Sequence, residues 1–212
     1  MVIVSYPLVI ISSKITSLFA IKKETLVTRE QISALANLGY DEGVFSKQEN
    51  KIIQNIINLK KVKAAEIMTP RVVVFSMDEN LSLSNFKTKV DNLNFSRIPI
   101  FSDQKEKISG YIYLQDILEK SLEENLENIK LKNFKRNILT LPNSINLFSL
   151  FNKLIENKEH ISMIVDEYGG FDGIITMEDI IETLLGLEII DENDKVIDMQ
   201  EYAKQKWKKK LN

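Results

Sequence analysis

The residues Gly-Ile-Ile-Thr-Met-Glu-Asp at positions 173–179 join the end of a predicted β-strand to the first turn of a predicted helix. Thr176 stands at the junction, where a helix N-cap belongs, and Asp179 follows three residues later, like the acid of a capping box. A helix N-terminus offers unpaired N–H groups and the positive end of the helix dipole, so it suits an anion. Thr176 can bond a phosphate oxygen, and Asp179 can accept hydrogen bonds from two ribose hydroxyls. The same pattern also serves as a helix cap without any ligand, so both interpretations stay open.

An internal repeat surrounds this stretch. The earlier residues Gly-Tyr-Ile-Tyr-Leu-Gln-Asp at 110–116 have the same pattern, and their Gly110 and Asp116 precede Gly173 and Asp179 by 63 residues. Apolar positions further upstream repeat at a spacing of 64 residues, so one shift aligns most of the two halves with a single-residue slip, which fits a loop. Two copies are too few for a solenoid, and the repeat predicts two similar β–α units packed face to face.

The composition narrows the classes of function. The net charge of −2 gives no basic field for nucleic acid, and the chain has no cysteine for disulfides, thiol catalysis or cysteine-bound zinc. Its one histidine, His160, cannot build a histidine-cluster metal site and is interpreted as structural. The sequence contains neither a catalytic triad nor a Walker loop. It therefore predicts a binding protein rather than an enzyme.

Motifs elsewhere in the chain extend the pattern. They are Met-Thr-Pro-Arg at 68–71, Ser-Arg-Ile-Pro-Ile at 96–100, Val-Asp-Glu-Tyr-Gly-Gly-Phe-Asp-Gly at 165–173 and Glu-Ile-Ile-Asp-Glu-Asn-Asp at 188–194. With the stretch at 173–179, they resemble a pair of CBS domains, which are adenosine-nucleotide-binding modules. The match looks closest to the CorC/CNNM family, haemolysin-like membrane proteins linked to magnesium and cobalt transport. The resemblance covers roughly residues 28–194.

This resemblance implies an α/β fold, a tandem CBS-domain pair of two β-α-β-β-α units preceded by a short helical bundle. The expected divisions are a membrane-proximal segment at 1–27, a helical linker bundle at 28–61, CBS domains at 62–122 and 123–186, and an acidic then basic tail at 187–212. The apolar run at 2–11 is too short to span a bilayer, which needs about 20 apolar residues. The chain therefore looks like a fragment or a shortened relative that starts at the last membrane-proximal helix.

Local patterns predict the individual elements. Capping boxes at Thr28 and Ser46 begin the two linker helices, and the first is expected to turn Ile32, Leu35 and Leu38 inward and to close at Gly39. The first unit is predicted to contain a short helix at 62–68, strands at 72–76, 97–101 and 108–113, and helices at 83–92 and 114–122. The second is predicted to contain strands at 137–141, 161–165 and 171–176, and helices at 147–157 and 177–185. Hairpin loops are expected at 103–107 and 167–170.

Two clefts between the units should differ in their capacity for a ligand. The second cleft has both Thr176 and Asp179, whereas the weaker first cleft keeps Asp116 but has Tyr113 where the threonine belongs. A phenol projects past the helix terminus and would crowd a phosphate. The sequence therefore predicts one good nucleotide site per chain.

The resemblance supplies the remaining expected nucleotide-binding residues, which are Thr69, Val72, Val73, Arg97, Ile98 and Pro99. Thr69 and the backbone near Val72 and Val73 would surround the adenine, and the Arg97 guanidinium would face the phosphates. Alternatively, Arg97 forms a surface ion pair with Asp91 or Asp103, and Thr69 is only a cap.

The ligand and partners are likewise expectations from the resemblance. ATP, or AMP or ADP, would be the ligand, and Mg²⁺ would arrive with the nucleotide because it prefers phosphates, water and one or two carboxylates. The chain would form a homodimer through its CBS faces and act on the transmembrane domain of the family, absent here, from the cytoplasmic face of the plasma membrane as a soluble domain. The alternative function is a ligand-independent dimerisation or assembly module.

Overall fold

The structure, a computed structural model, describes residues 27–87, 95–120, 129–187 and 203. It begins with two helices, α1 (Arg29–Asp41) and α2 (Lys47–Asn58). Thr28 and Ser46 are their N-caps, and each forms the predicted capping box with the side chain three residues later. These boxes satisfy N–H groups that a helix N-terminus leaves unpaired, which is why both helices begin where the sequence predicts.

The predicted inward face and end of α1 are wrong. Ile32, Leu35 and Leu38 are 44%, 63% and 51% exposed, and the helix continues past Gly39 to Asp41. The contact between the two helices is polar instead. It includes a hydrogen bond of 3.1 Å from Gln54 Nε2 to Asn37 Oδ1, beside contacts from Ser33 and Asn50. Because polar side chains hold α1 to α2, these three apolar side chains are left exposed, while the smaller Ala36 is buried.

Two α/β units follow the helices, and the predicted fold class is confirmed. The first unit and the segment before it contain α3 (Ala64–Ile67), β1 (Thr69–Pro70), β2 (Met77–Asp78), α4 (Leu83–Lys87), β3 (Arg97–Phe101), β4 (Ile108–Tyr113) and α5 (Leu114–Lys120). The second unit and the connector before it contain a 3₁₀ helix (Leu131–Phe134), β5 (Leu139–Pro142), α6 (Leu147–Asn157), β6 (Ile161–Val165), β7 (Phe171–Thr176) and α7 (Met177–Leu185). The strands form one sheet in the order β1-β7-β6-β5 and another in the order β2-β3-β4.

The strand predicted at 72–76 is not formed. The amide groups of Val73 and Val74 both donate to the Pro70 carbonyl, at 3.0 and 3.3 Å, so the chain turns after β1 despite its run of β-branched residues. The next strand, β2, starts only at Met77. The fifth strand is also displaced from 137–141 to Leu139–Pro142. The ends of the helices predicted at 83–92 and 114–122 lie outside the described residues.

The segment before the first unit packs on the second unit. We call residues 62–70 the first exchanged segment. Its Ala64 amide donates to the Ile145 carbonyl at 2.9 Å, and β1 pairs antiparallel with β7. Ala64 and Met68 are buried in the same hydrophobic cluster as Leu150 and other core residues of the second unit. The first exchanged segment thus completes the second unit's sheet and core.

The connector before the second unit makes the reciprocal contact. We call residues 129–136 the second exchanged segment. The Leu83 amide donates to the Ile129 carbonyl at 2.9 Å, and the Leu131 amide donates to the Leu81 carbonyl at 3.0 Å. Leu131 is fully buried in the core of the first unit. The two units are therefore related by an approximate twofold arrangement in which each receives the leading segment of the other.

Candidate functional site

Thr176 and Asp179 meet at the start of α7, as the sequence predicts. The Asp179 carboxylate accepts hydrogen bonds from the Thr176 amide at 2.6 Å and from the Thr176 hydroxyl at 2.8 Å. The Asp179 amide in turn donates to the Thr176 hydroxyl oxygen at 3.4 Å. Both side chains are half-buried. The pair therefore caps the helix and also places a carboxylate and a hydroxyl at its positive end.

Gly173 lets the first exchanged segment approach this helix terminus. Thr69 lies opposite Ile174 and Pro70 lies opposite Gly173 in the antiparallel pairing of β1 with β7. A Cβ atom on Gly173 would lie 2.4 Å from the Thr69 carbonyl oxygen, a separation that a side chain cannot reach without moving the backbone. Thr69 lies in a strand rather than at a helix terminus, so the structure does not place it as a cap.

The turn after β1 is tied to the second unit by Arg71, whose contribution the sequence analysis missed. The Arg71 amide donates to the Asp172 carbonyl at 2.9 Å, and its guanidinium donates to the Phe171 carbonyl at 3.1 Å. This fixes the backbone of the next two residues beside β7. Val72 is 51% exposed and Val73 is half-buried.

The start of α5, where the first cleft is predicted, has a neighbour that the sequence analysis also missed. Arg136 donates to the Asp116 carboxylate at 2.8 Å, and its guanidinium lies 4.1 Å from the centre of the Tyr113 ring. The hydrogen bond to Asp116 raises the pKa of the Arg136 guanidinium above its ordinary value. Arg136 lies in the polar connector, and only its pairing with β4 reveals its position.

Arg97 lies next to Tyr113 at the start of β3. It opens β3 opposite Tyr113, and its guanidinium lies 5.1 Å from the Tyr113 ring centre. Ile98 and Pro99, the next two residues of β3, are buried. The structure shows no ion pair with Asp103 among the described residues, and Asp91 lies outside them. The Arg97 Nε atom is buried and has no hydrogen-bond partner there, a state that is costly for a donor unless an acceptor reaches it.

A buried tyrosine links the units near this cleft. The Tyr111 hydroxyl donates to the Glu159 carboxylate at 2.8 Å and joins β4 of the first unit to the loop after α6 of the second. Burial, followed by this hydrogen bond, raises the pKa of the Tyr111 phenol. The phenol therefore stays protonated and keeps its donor role at neutral pH.

The far end of α7 is held by the linker bundle. Gln48, Lys51 and Asn55 of α2 donate to the carbonyls of Leu185, Gly186 and Leu184 at 2.8, 2.7 and 3.1 Å respectively. The last carbonyls of a helix lack partners within it and attract positive charge. One helix thus joins the Thr176–Asp179 pair at its start to the linker at its end.

Other kinds of site find less support in the described part of the chain. No group of three or more His, Cys, Asp or Glu side chains in those residues could hold a metal ion. Likewise, none of the helices described there has the length and apolar character needed to cross a membrane. The acidic run at 188–194 lies outside the described residues.

Two similar α/β units with exchanged leading segments and a Thr-x-x-Asp helix start define the class of tandem α/β-domain pairs to which CBS domains belong. A model of the CBS domain family matches residues 64–123 and 131–186. The chain belongs to this family, as a CBS-domain pair of the CorC/CNNM type, and the predicted relationship is confirmed.

Known proteins support this placement. Hemolysin C of Brachyspira hyodysenteriae is 38% identical over 150 residues, 71% of this chain and 54% of that protein. The solved CBS domain of the bacterial CNNM/CorC family Mg²⁺ transporter is 30% identical, with a TM-score of 0.73 over 78% of this chain and all of that one. A structure of that domain in complex with ATP is 30% identical, with a TM-score of 0.63 over 66% of this chain and 99% of that one. The chain spans about half the length of the curated relatives it matches.

Proposed function

We propose that this chain is a regulatory adenosine-nucleotide-binding module of a CorC/CNNM-like membrane protein involved in magnesium or other divalent cation transport. The observation that carries the proposal is the Thr176–Asp179 pair at the start of α7, with β1 held close beside it by Gly173. The similar CBS domain solved in complex with ATP supports the choice of an adenosine nucleotide. The role is one of binding rather than of catalysis.

Each group of the ligand has a proposed partner in this chain. Asp179 accepts the ribose hydroxyls, and Thr176 with the α7 N-terminus receives a phosphate. Thr69 and the backbone at Val72 and Val73 border the adenine. Arg97, whose buried Nε atom has no partner among the described residues, reaches toward the phosphates from beside Ile98 and Pro99. Mg²⁺ would supply charge neutralisation for a triphosphate, and ATP is favoured over AMP or ADP only by the solved relative.

The hydrogen bonds between α2 and the end of α7 connect the proposed site to the linker helices. A ligand at Thr176 and Asp179 changes the hydrogen bonds that begin α7, and α2 holds the other end of the same helix. Nucleotide binding would favour one arrangement of the units and linker, which passes that preference to the transmembrane domain of the family. The module would act at the cytoplasmic face of the plasma membrane as a homodimer.

A second candidate function is a ligand-independent assembly module. Phe75 and Phe95 stack with ring centres 5.8 Å apart, and they are 37% and 40% exposed. Val72 is also exposed. Exposed aromatic side chains of this kind favour contact with another protein surface.

The first experiment is a calorimetric titration of the full chain with ATP, with and without Mg²⁺, beside the variant Asp179→Asn. We expect saturable binding that this variant weakens by roughly tenfold or more, because hydrogen bonds to a charged group contribute about 1.5–3 kcal/mol. Asp116→Asn is the matched control, since it makes the same change at the equivalent position of the other unit and should preserve affinity. If the wild type binds no ATP in either condition, the result favours the assembly module over the nucleotide-binding module.

A further inference from the structure

The approximate twofold arrangement places Arg136 where the second cleft has Thr69. Thr69 pairs with Ile174, and Arg136 pairs with Tyr111, which corresponds to Ile174 in the internal repeat. The backbone of each exchanged segment approaches a glycine of the neighbouring strand equally closely in the two units. A Cβ atom on Gly110 would lie 2.4 Å from the Arg136 carbonyl oxygen, as one on Gly173 would lie 2.4 Å from that of Thr69.

The Arg136 side chain contacts both residues that would define a ligand site in the first cleft. Its guanidinium donates to Asp116, the counterpart of Asp179, at 2.8 Å. It also lies 4.1 Å from the ring centre of Tyr113, the counterpart of Thr176. The second cleft has a short hydroxyl side chain at each of the positions that Arg136 and Tyr113 occupy in the first.

We propose that the Arg136 side chain occupies the first cleft. It closes this cleft to adenosine nucleotides by binding the Asp116 carboxylate and covering the Tyr113 ring. Asp116 and Arg136 are 38% and 48% exposed at the side chain, so their ion pair is weak in itself, as is a cation–π contact at an exposed site. An occupant tethered to the same chain nevertheless acts at a high effective concentration. An incoming ribose would have to displace it from the carboxylate and also find room beside the phenol.

This inference rests on the proposed function in taking adenosine nucleotides as the ligand class, but its test separates the two. Calorimetric titration of the full chain with ATP and Mg²⁺ is compared with that of the double variant Tyr113→Thr/Arg136→Thr, which installs the residues of the second cleft. The double variant should bind one more molar equivalent than the wild type. Adding Asp116→Asn to it should remove that equivalent.

An unchanged stoichiometry in the folded double variant overturns the inference. If the wild type binds none and the double variant gains an Asp116-dependent equivalent, the inference stands while the proposed function fails. If the wild type binds one equivalent through Asp179 and the double variant gains none, the proposed function stands and the inference fails. Should the double variant not fold, as judged by circular dichroism and its melting curve, the single variant Arg136→Thr decides. Binding of a second, weaker equivalent supports the inference. The absence of a second equivalent up to millimolar ATP contradicts it.

Discussion

Gly173 determines how closely β1 and β7 can approach. Its missing side chain leaves room for the Thr69 carbonyl oxygen, which a Cβ atom would approach to 2.4 Å, and for Met68 Sδ at 3.1 Å. The substitution Gly173→Ala should displace β1 and lower the free energy of unfolding by about 2 kcal/mol, a typical cost of overpacking. Urea denaturation measures this.

The matched control is Gly110→Ala, which meets the Arg136 carbonyl oxygen at the same distance in the other unit. Both variants should be destabilised, but only Gly173→Ala should weaken ATP binding, because only that change moves the strand beside Thr176. If Gly173→Ala had the same unfolding midpoint as the wild type, β1 could shift without loss of stability, and the prediction would be wrong.

Glu79 gives the fold a measurable dependence on pH. Its carboxylate accepts a hydrogen bond from the Ser109 hydroxyl at 2.6 Å and lies 3.4 Å from Lys135 Nζ. The Ser109 bond, and secondarily Lys135, lowers the pKa of Glu79 below its ordinary value of 4.5. A carboxyl with a lower pKa in the folded state stabilises the protein above its unfolded-state pKa, and this contribution is lost as the pH falls through the folded-state pKa.

Glu79→Gln should therefore reduce the free energy of unfolding by about 1 kcal/mol at pH 7. The difference from the wild type should shrink as the pH falls below 4.5. Urea denaturation at a series of pH values tests this, with Glu106→Gln in the exposed loop between β3 and β4 as the control. A difference that stays constant with pH would mean that the ionised carboxylate is not the stabilising species.

At the scale of elements, α7 depends on α2 for its C-terminal hydrogen bonds. The triple variant Gln48→Ala/Lys51→Met/Asn55→Ala removes the donors to the last carbonyls of α7. Faster hydrogen exchange is expected in α2 and at the end of α7, with little change in the buried strand β6, because α2 loses its hold on the second unit. In the wild type, saturating ATP should alter exchange in α2, and the triple variant should lose that response.

Lys47→Met is the control for the loss of a lysine from α2, since Lys47 is an exposed residue of the same helix. Its exchange pattern should match the wild type. If the triple variant also matched the wild type, the three hydrogen bonds would have no part in docking the linker.

Elements with strong local signals were predictable from the sequence, and contacts between distant segments were not. The capping boxes at Thr28, Ser46 and Thr176 depend on residues three apart, and all are formed. The strand predicted at 72–76 does not form, because the Pro70 carbonyl accepts hydrogen bonds from two amides and the chain turns there. The run of valines in the sequence predicts a strand and gives no sign of this turn. Arg136 was missed for a different reason. Nothing near it in sequence shows that it pairs with β4 or reaches Asp116.

At the scale of the whole molecule, the repeat predicted two similar units but not the crossing of their leading segments. A repeat shows which residues are equivalent, whereas it does not show whether a segment folds onto its own unit or the other one. The buried positions of Ala64, Met68 and Leu131 settle this, because each lies in the core of the opposite unit. Each of the two predicted clefts would consequently be built from both halves of the chain.

The exchange of leading segments has a consequence for any attempt to divide the protein. A half that begins after residue 128 would lack β1, so the outer edge of β7 would show unpaired N–H and C=O groups to solvent. Open edges of this kind recruit strands from other chains. The isolated halves should therefore be prone to self-association, yet complement each other when mixed, since each carries the segment that the other lacks.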